Sequence, residues 1–207
     1  MIRIFFEPCL WIWLLFAPAL LLAQSDGTNA VPSEPHEPTT LPGWAHQLEV
    51  GISFGENWNG NGVTGFATEY TFSKLLAKSM YLGLTTGLNQ PDPVARYMMI
   101  PLAVDFTWAA GVGERKHPWT FGVNSGYAWA ARQPLVTGGF TGIKGGWRMQ
   151  LSVGRMFATG GDTKVLFDVG YARQNTVQEF DFPWWGELNR REAITHNRYQ
   201  FRFGVLF

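Results

Sequence analysis

The sequence predicts an all-β fold, an eight-stranded antiparallel up-and-down transmembrane β-barrel. Three observations predict it. Large apolar residues alternate with small or polar ones in eight separate stretches. Several stretches reach the length of a tilted bilayer crossing, beyond that of an ordinary strand. The less apolar side is rich in Gly, Ser, Thr and Gln, where a soluble surface would carry Lys and Glu. Composition agrees. Charged residues make up 15% of the 207 and aromatics another 15%, which marks a chain that folds. Lys+Arg 16 balance Asp+Glu 16, so net charge gives no basis for a nucleic-acid partner. A single cysteine excludes an intrachain disulfide framework and a zinc-finger ligand set.

Residues 1–23 read as a secretory signal peptide. Leu10 to Ala23 form an uncharged apolar run too short to span a bilayer, Arg3 gives the positive flank, and cleavage is expected near Ala23–Gln24. Cys9 precedes the run, where a lipoprotein cysteine would follow it, so no lipid anchor is expected. Residues 24–43 contain four prolines and few apolar residues, and read as an extended periplasmic linker. The barrel occupies 44–207.

Eight alternating stretches follow, at 47–54, 65–72, 80–88, 98–108, 119–129, 147–154, 165–172 and 198–207. In the last, Tyr199, Phe201, Phe203, Val205 and Phe207 oppose Arg198, Gln200, Arg202 and Gly204. A soluble sandwich or lipocalin would bury the apolar face; a membrane barrel turns it outward to lipid. Trp44, Trp108, Trp119, Trp129 and Trp147 sit near stretch ends, as interface girdles do. The connections orient the barrel. Turns at 73–79, 109–117 and 159–162 are assigned to the periplasm; 55–62, 89–95, 131–144 and 174–197 face outward. Both termini are then periplasmic. Pro101 falls within the fourth stretch, where it removes a ladder donor, so a bulge or distortion is expected there.

With these residues in hand, the chain resembles the small Gram-negative outer-membrane β-barrels, the eight-stranded OmpA/OmpX-like type. The resemblance rests on the terminal strand, where aromatics at Tyr199, Phe201 and Phe203 lead to Phe207, and on the hairpin Tyr70–Lys74 then Tyr81–Leu84. It covers roughly 44–207. It implies that Tyr199, Phe201, Phe203 and Phe207 form the signal read by the barrel-assembly machinery. Members of this family act variously as tethers, adhesins, resistance factors and lipid A-modifying enzymes.

Charge is scarce, and much of it lies on the face assigned to the lumen: Glu49, Glu69, Asp105 and Asp168 against Arg148, Arg198 and Arg202. An eight-stranded barrel has room inside only for side chains, so these groups should pair into a network. Closure of the barrel brings Glu49 near Arg198 or Arg202. The longest outer connection carries Phe180, Phe182, Trp184 and Trp185 among acids, then Arg190 and Arg191; aromatics and Arg dominate binding surfaces. The Asn57-x-Asn59-x-Asn61-Gly62 run lacks the acid a calcium loop needs at its twelfth place, and Gly138–Gly146 lacks the GK[ST] of a phosphate loop. The histidines are His36, His46, His117 and His196, with no His-x-Ser pair on one strand face.

The function expected is that of a non-enzymatic, integral outer-membrane protein with a structural and loop-mediated interaction or adhesion role. The alternative is a narrow ion or small-solute channel gated by lumen salt bridges. A lipid A-modifying enzyme is the third reading. Expected partners are outer-membrane lipid and lipopolysaccharide, the assembly machinery, and an extracellular protein or glycan at 174–197. No cofactor, metal, catalytic residue or nucleic acid is expected.

Overall fold

The structure, a computed structural model, describes residues 41–207 apart from 57–59, 92–96, 113–116, 132–139, 160–162 and 183–186. The side chains of 140–141, 180–182 and 187–190 also lie outside the description. So do the expected signal peptide and most of the expected linker.

The strands are β1 (Trp44–Glu56), β2 (Gly62–Ala77), β3 (Met80–Gln90), β4 (Met98–Ala110), β5 (Trp119–Ala131), β6 (Phe140–Lys144), β7 (Gly146–Ala158), β8 (Lys164–Phe182) and β9 (Glu187–Leu206). All pairings are antiparallel, and eight strands close a ring in which β1 pairs with both β2 and β9. The seam runs from Gln47↔Leu206 to Gly55↔Arg198. It ends in reciprocal backbone bonds between His46 and Phe207, at 2.8 and 2.9 Å. Closure leaves no free edge in the ring, which a lipid solvent requires. β6 is the ninth piece and continues the line of β7 against β8. The two are separated at Gly145, where a Cβ would lie 1.8 Å from the Ala128 carbonyl oxygen, so only glycine fits.

The faces are inverted relative to a soluble barrel. Along β1, Trp44, Leu48, Val50, Ile52 and Phe54 are exposed, while Ala45, Glu49 and Ser53 are buried inside. Ten steps at about 3.3 Å, tilted about 40°, give an apolar belt about 25 Å tall, the height of a bilayer core crossed by strands. Aromatic pairs border the belt. At one rim Trp44 stacks on Phe72 at 5.1 Å, and Trp108 on Phe121 at 5.4 Å. Lys74 and Arg155 lie over Trp44 and Trp119 at 5.2 and 5.4 Å, as interfacial cations do. At the other rim Tyr171 meets Tyr199 edge-on at 5.7 Å, and Tyr127 meets Trp129 at 5.2 Å.

Three expectations need correction, and a fourth holds in part. Within the expected 174–197 loop, the described residues 174–182 and 187–197 are paired strand: β8 and β9 stay in register from Lys164↔Leu206 to Phe180↔Arg190, and Phe182 pairs with Glu187 after a register shift. Residues 140–144 of the expected 131–144 loop form β6. The 73–79 turn shrinks to Lys78 and Ser79, because β2 runs on to Ala77. Pro101 makes no bulge, and the expected distortion takes the form of a gap in pairing on one side. β4 pairs with β5 through Pro101↔Ala128, while pairing with β3 lapses between Thr86↔Leu102 and Asn89↔Met99 and resumes in the same register. The missing N–H costs bonds on one side only.

Candidate functional site

The inward side chains fill the barrel in layers. At the end that carries the Lys78–Ser79 turn, Ala45, Tyr81, Ala109, Met156, Leu166 and Leu206 form an apolar plug. Leu41 packs on it from below, and Tyr81 donates to the Pro42 carbonyl at 2.9 Å. The alternation could not show this plug, because it lies on the face that is polar elsewhere.

At mid-height the charges meet. Arg202 donates through Nε to Asp168 Oδ1 at 2.7 Å and through Nη1 to Glu49 Oε2 at 3.0 Å. Glu69 Oε2 lies 3.6 Å from the same nitrogen. Arg148, reaching across from β7, donates to Glu69 Oε1 and to Gln150 Oε1. Asp105 accepts from Thr107 Oγ1 at 2.9 Å. The register explains the convergence. Asp168 is the direct partner of Arg202 across β8–β9, and Glu49 pairs with both Glu69 and Gly204. Two glutamates directly opposed would repel. Gly204 leaves the opening through which Arg202 and Glu49 meet: a Cβ there would lie 2.9 Å from the Glu49 side chain. Glu49, Glu69, Asp168, Arg148 and Arg202 therefore bridge the lumen. Arg198 stands further along the seam, opposite Gly55, and donates to the Val63 carbonyl at 3.1 Å.

Beyond the knot the lumen is polar. Ser53, Asn89, Gln174, Thr176, Gln178, Arg198 and Gln200 are buried there. It is capped by Tyr97, whose hydroxyl shares a 2.8 Å hydrogen bond with His196 Nε2, while Thr176 Oγ1 lies 3.2 Å from the same nitrogen. Tyr97, Met99 and Ala128 pack together beside this cap. Tyr97 and Gln174 were not singled out from the sequence; Gln174 lies in what read as a loop, and Tyr97 lies outside every alternating stretch. His46 lies at the opposite rim, stacked on Phe207 at 5.7 Å, and His117 packs on Phe157 at 5.0 Å. His36 lies outside the described residues.

Above the Tyr171–Tyr199 girdle, β6, β8 and β9 continue as a projecting sheet whose outer face turns polar. Glu179 joins Lys144 at 2.9 Å and Arg191 at 3.1 Å. The hydrogen bond from Lys144, helped by both cationic charges, holds the Glu179 carboxyl below its ordinary range. Of the expected interaction residues, Phe180, Phe182 and Arg190 fall on these strands, with Phe180 paired to Arg190. Their side chains, and Trp184 and Trp185 altogether, lie outside the described residues.

By sequence the chain matches no family profile and no curated protein. Solved structures do match. Outer membrane protein OprG from Pseudomonas aeruginosa aligns with TM-score 0.56 at 12% identity, over 83% of this chain and 99% of that one. The fold is that of a small outer-membrane β-barrel. Neisserial surface protein A aligns with TM-score 0.57 at 8% identity, over 80% and 96% of the two chains. Outer membrane protein AlkL, solved in DMPC lipid bilayers, gives 0.54 at 13%, over 87% and 95%. At these identities the likeness concerns the fold of the barrel and not its lumen groups.

Proposed function

We propose that this chain is a non-enzymatic protein of the bacterial outer membrane, with a closed lumen and both termini in the periplasm, that presents its β8–β9 hairpin outside the cell as an interaction surface. The observation that carries the reading is the hairpin itself, which stays paired well past the apolar belt at one end. The other end has the tight Lys78–Ser79 turn. Short turns lie on the periplasmic side of such barrels and long connections outside. A rigid paired extension loses less entropy on binding than a floppy loop would. The knot on Arg202, the apolar plug and the Tyr97 cap support a shut lumen. His196 faces inward toward Tyr97 and Thr176, away from acyl chains, which supports a role other than lipid chemistry. The exposed Tyr199, Phe201 and Phe207 support recognition of the last strand by the assembly machinery.

The test replaces Thr176–Ile194 with a two-residue turn. Cells displaying the shortened barrel should lose adhesion to immobilised glycans and matrix proteins, while the protein still shows a heat-dependent gel shift. Unchanged adhesion would sink the interaction role. One observation favours a channel as the second reading. Ser53 Oγ, Asn89 Oδ1 and Gln200 Oε1 are buried without a partner among the described residues, so the chamber above the knot calls for internal water. A shut lumen predicts no discrete steps in planar-bilayer recordings. Steps that change in Glu49→Gln would establish the channel instead.

A further inference from the structure

We propose that the outer surface of β7, β8, β9 and β1 holds a binding site for a phosphorylated lipid, its acyl chain in a trough below the Tyr171–Tyr199 girdle and its phosphate on Arg173. The trough is a shallow apolar depression of about 730 Å³, lined by Leu151, Val169, Tyr171, Tyr199, Phe201 and Phe54. Tyr171 and Tyr199 stand at its upper rim. Arg173 follows Tyr171 by two residues on the same outward face, about 7 Å higher along the strand.

The groups around Arg173 are arranged as donors. Arg173 is exposed, and no carboxylate among the described residues pairs with it. Asn197 lies directly across from it on β9. The Asn197 Oδ1 accepts the Tyr171 hydroxyl at 2.8 Å, so the carboxamide has its Nδ2 donors left to offer. Asn175, the next outward residue on β8, repeats the pattern: its Oδ1 accepts the Thr195 hydroxyl at 3.1 Å. Two carboxamides with engaged oxygens thus flank one guanidinium, so the cluster offers N–H groups and one positive charge to an acceptor. Lys144, Glu179 and Arg191, higher on the same sheet, add a further net positive charge. A phosphomonoester, carrying about −1.5 to −2 at neutral pH, supplies the matching charge and acceptor oxygens, and guanidinium binds it through a fork. An apolar trough directly below selects a phosphate that comes with an acyl chain. In the orientation proposed above this end lies in the outer leaflet. The proposal rests on that reading for its lipid source, whereas the binding test is run in detergent, where orientation plays no part and failure leaves that reading standing.

The experiment is native mass spectrometry of the full barrel refolded in detergent. The probes are bisphosphorylated lipid A, the same lipid stripped of both phosphates, and inorganic phosphate. Wild type should retain the bisphosphorylated lipid. Arg173→Gln should weaken retention about tenfold or more, the effect of losing a charge-assisted partner. Asn197→Asp, which sets a negative charge opposite Arg173, should weaken it comparably. The stripped lipid should bind wild type as poorly as the phosphorylated one binds Arg173→Gln. Both variants alter exposed side chains, and the unheated gel shift checks that each has folded. Undiminished retention by both variants, or equal retention of the stripped lipid, would overturn the site. Inorganic phosphate binding alone with the same dependence on Arg173 would overturn the lipid as occupant.

Discussion

Arg202 is the group on which the lumen depends most. Its side chain is 9% exposed, and the three carboxylates it faces are 6% exposed or less. Arg202→Met keeps most of the volume and removes the charge. Glu49, Glu69 and Asp168 then face one another with only Arg148 left, and Arg148 reaches Glu69 alone among them. Breaking one buried pair costs about 3–5 kcal/mol, because the remaining charge stays buried without compensation. The substitution breaks three ion pairs at once, those at 2.7, 3.0 and 3.6 Å, so the upper part of that range applies. The assay is guanidinium unfolding of the barrel refolded into vesicles, followed by tryptophan emission and by unheated gel mobility. The triple variant Arg202→Met, Glu49→Gln, Asp168→Asn should recover much of the loss, since it removes the orphaned charges as well. A single variant within about 1 kcal/mol of wild type, no more than a surface pair is worth, would refute the knot as a structural element. So would a triple variant no more stable than the single one.

Two further predictions concern the wall and the hairpin. A Cβ on Gly87 would lie 2.1 Å from the Thr68 carbonyl oxygen and 2.8 Å from the Glu69 Cα, both backbone, whereas one on Gly62 meets nothing within 4 Å. Gly87→Ala should therefore cost about 1–3 kcal/mol in the same unfolding assay or lower the refolded yield, while Gly62→Ala leaves both unchanged; equal behaviour of the two would be the wrong result. Glu179 has its carboxyl pKa lowered on folding, so its contribution is present above the unfolded value near 4.3 and fades as pH falls through the lower folded value. Hydrogen exchange, corrected for intrinsic rates, should show the β6–β8 rungs around Lys144 and Glu179 opening more readily as pH falls from about 6 to about 3. A pH-independent protection, or its equal loss in Glu179→Gln at both values, would count against the bridge.

Much of this barrel was legible in the sequence, and the exceptions have physical reasons. Alternation marks a strand when its two faces meet different solvents. Each of the eight stretches meets lipid on one side and lumen on the other, and each lies within an observed strand save Phe207, one residue past the end of β9. The knot followed from charge scarcity plus closure, and the register decided between Arg198 and Arg202. The outer parts of β8 and β9 could not be read this way. There Gln174, Thr176 and Gln178 face inward while Arg173, Asn175 and Glu179 face outward or are half-buried, so both faces are polar and the period vanishes. The plug was missed for the opposite reason. Met156, Leu166 and Leu206 are apolar on the face that is polar at mid-height, so they blur the alternation at the strand ends. β6 was hidden because Gly145 interrupts its line with β7.

The barrel itself is tested most simply by a gel comparison of boiled and unboiled protein taken from purified outer membranes. A closed barrel embedded through its apolar belt should be found in that fraction and should migrate differently when left unheated. A protein found soluble in the periplasm with a single mobility would contradict the barrel, because the exposed aromatic and aliphatic belt would then have to line an interior instead.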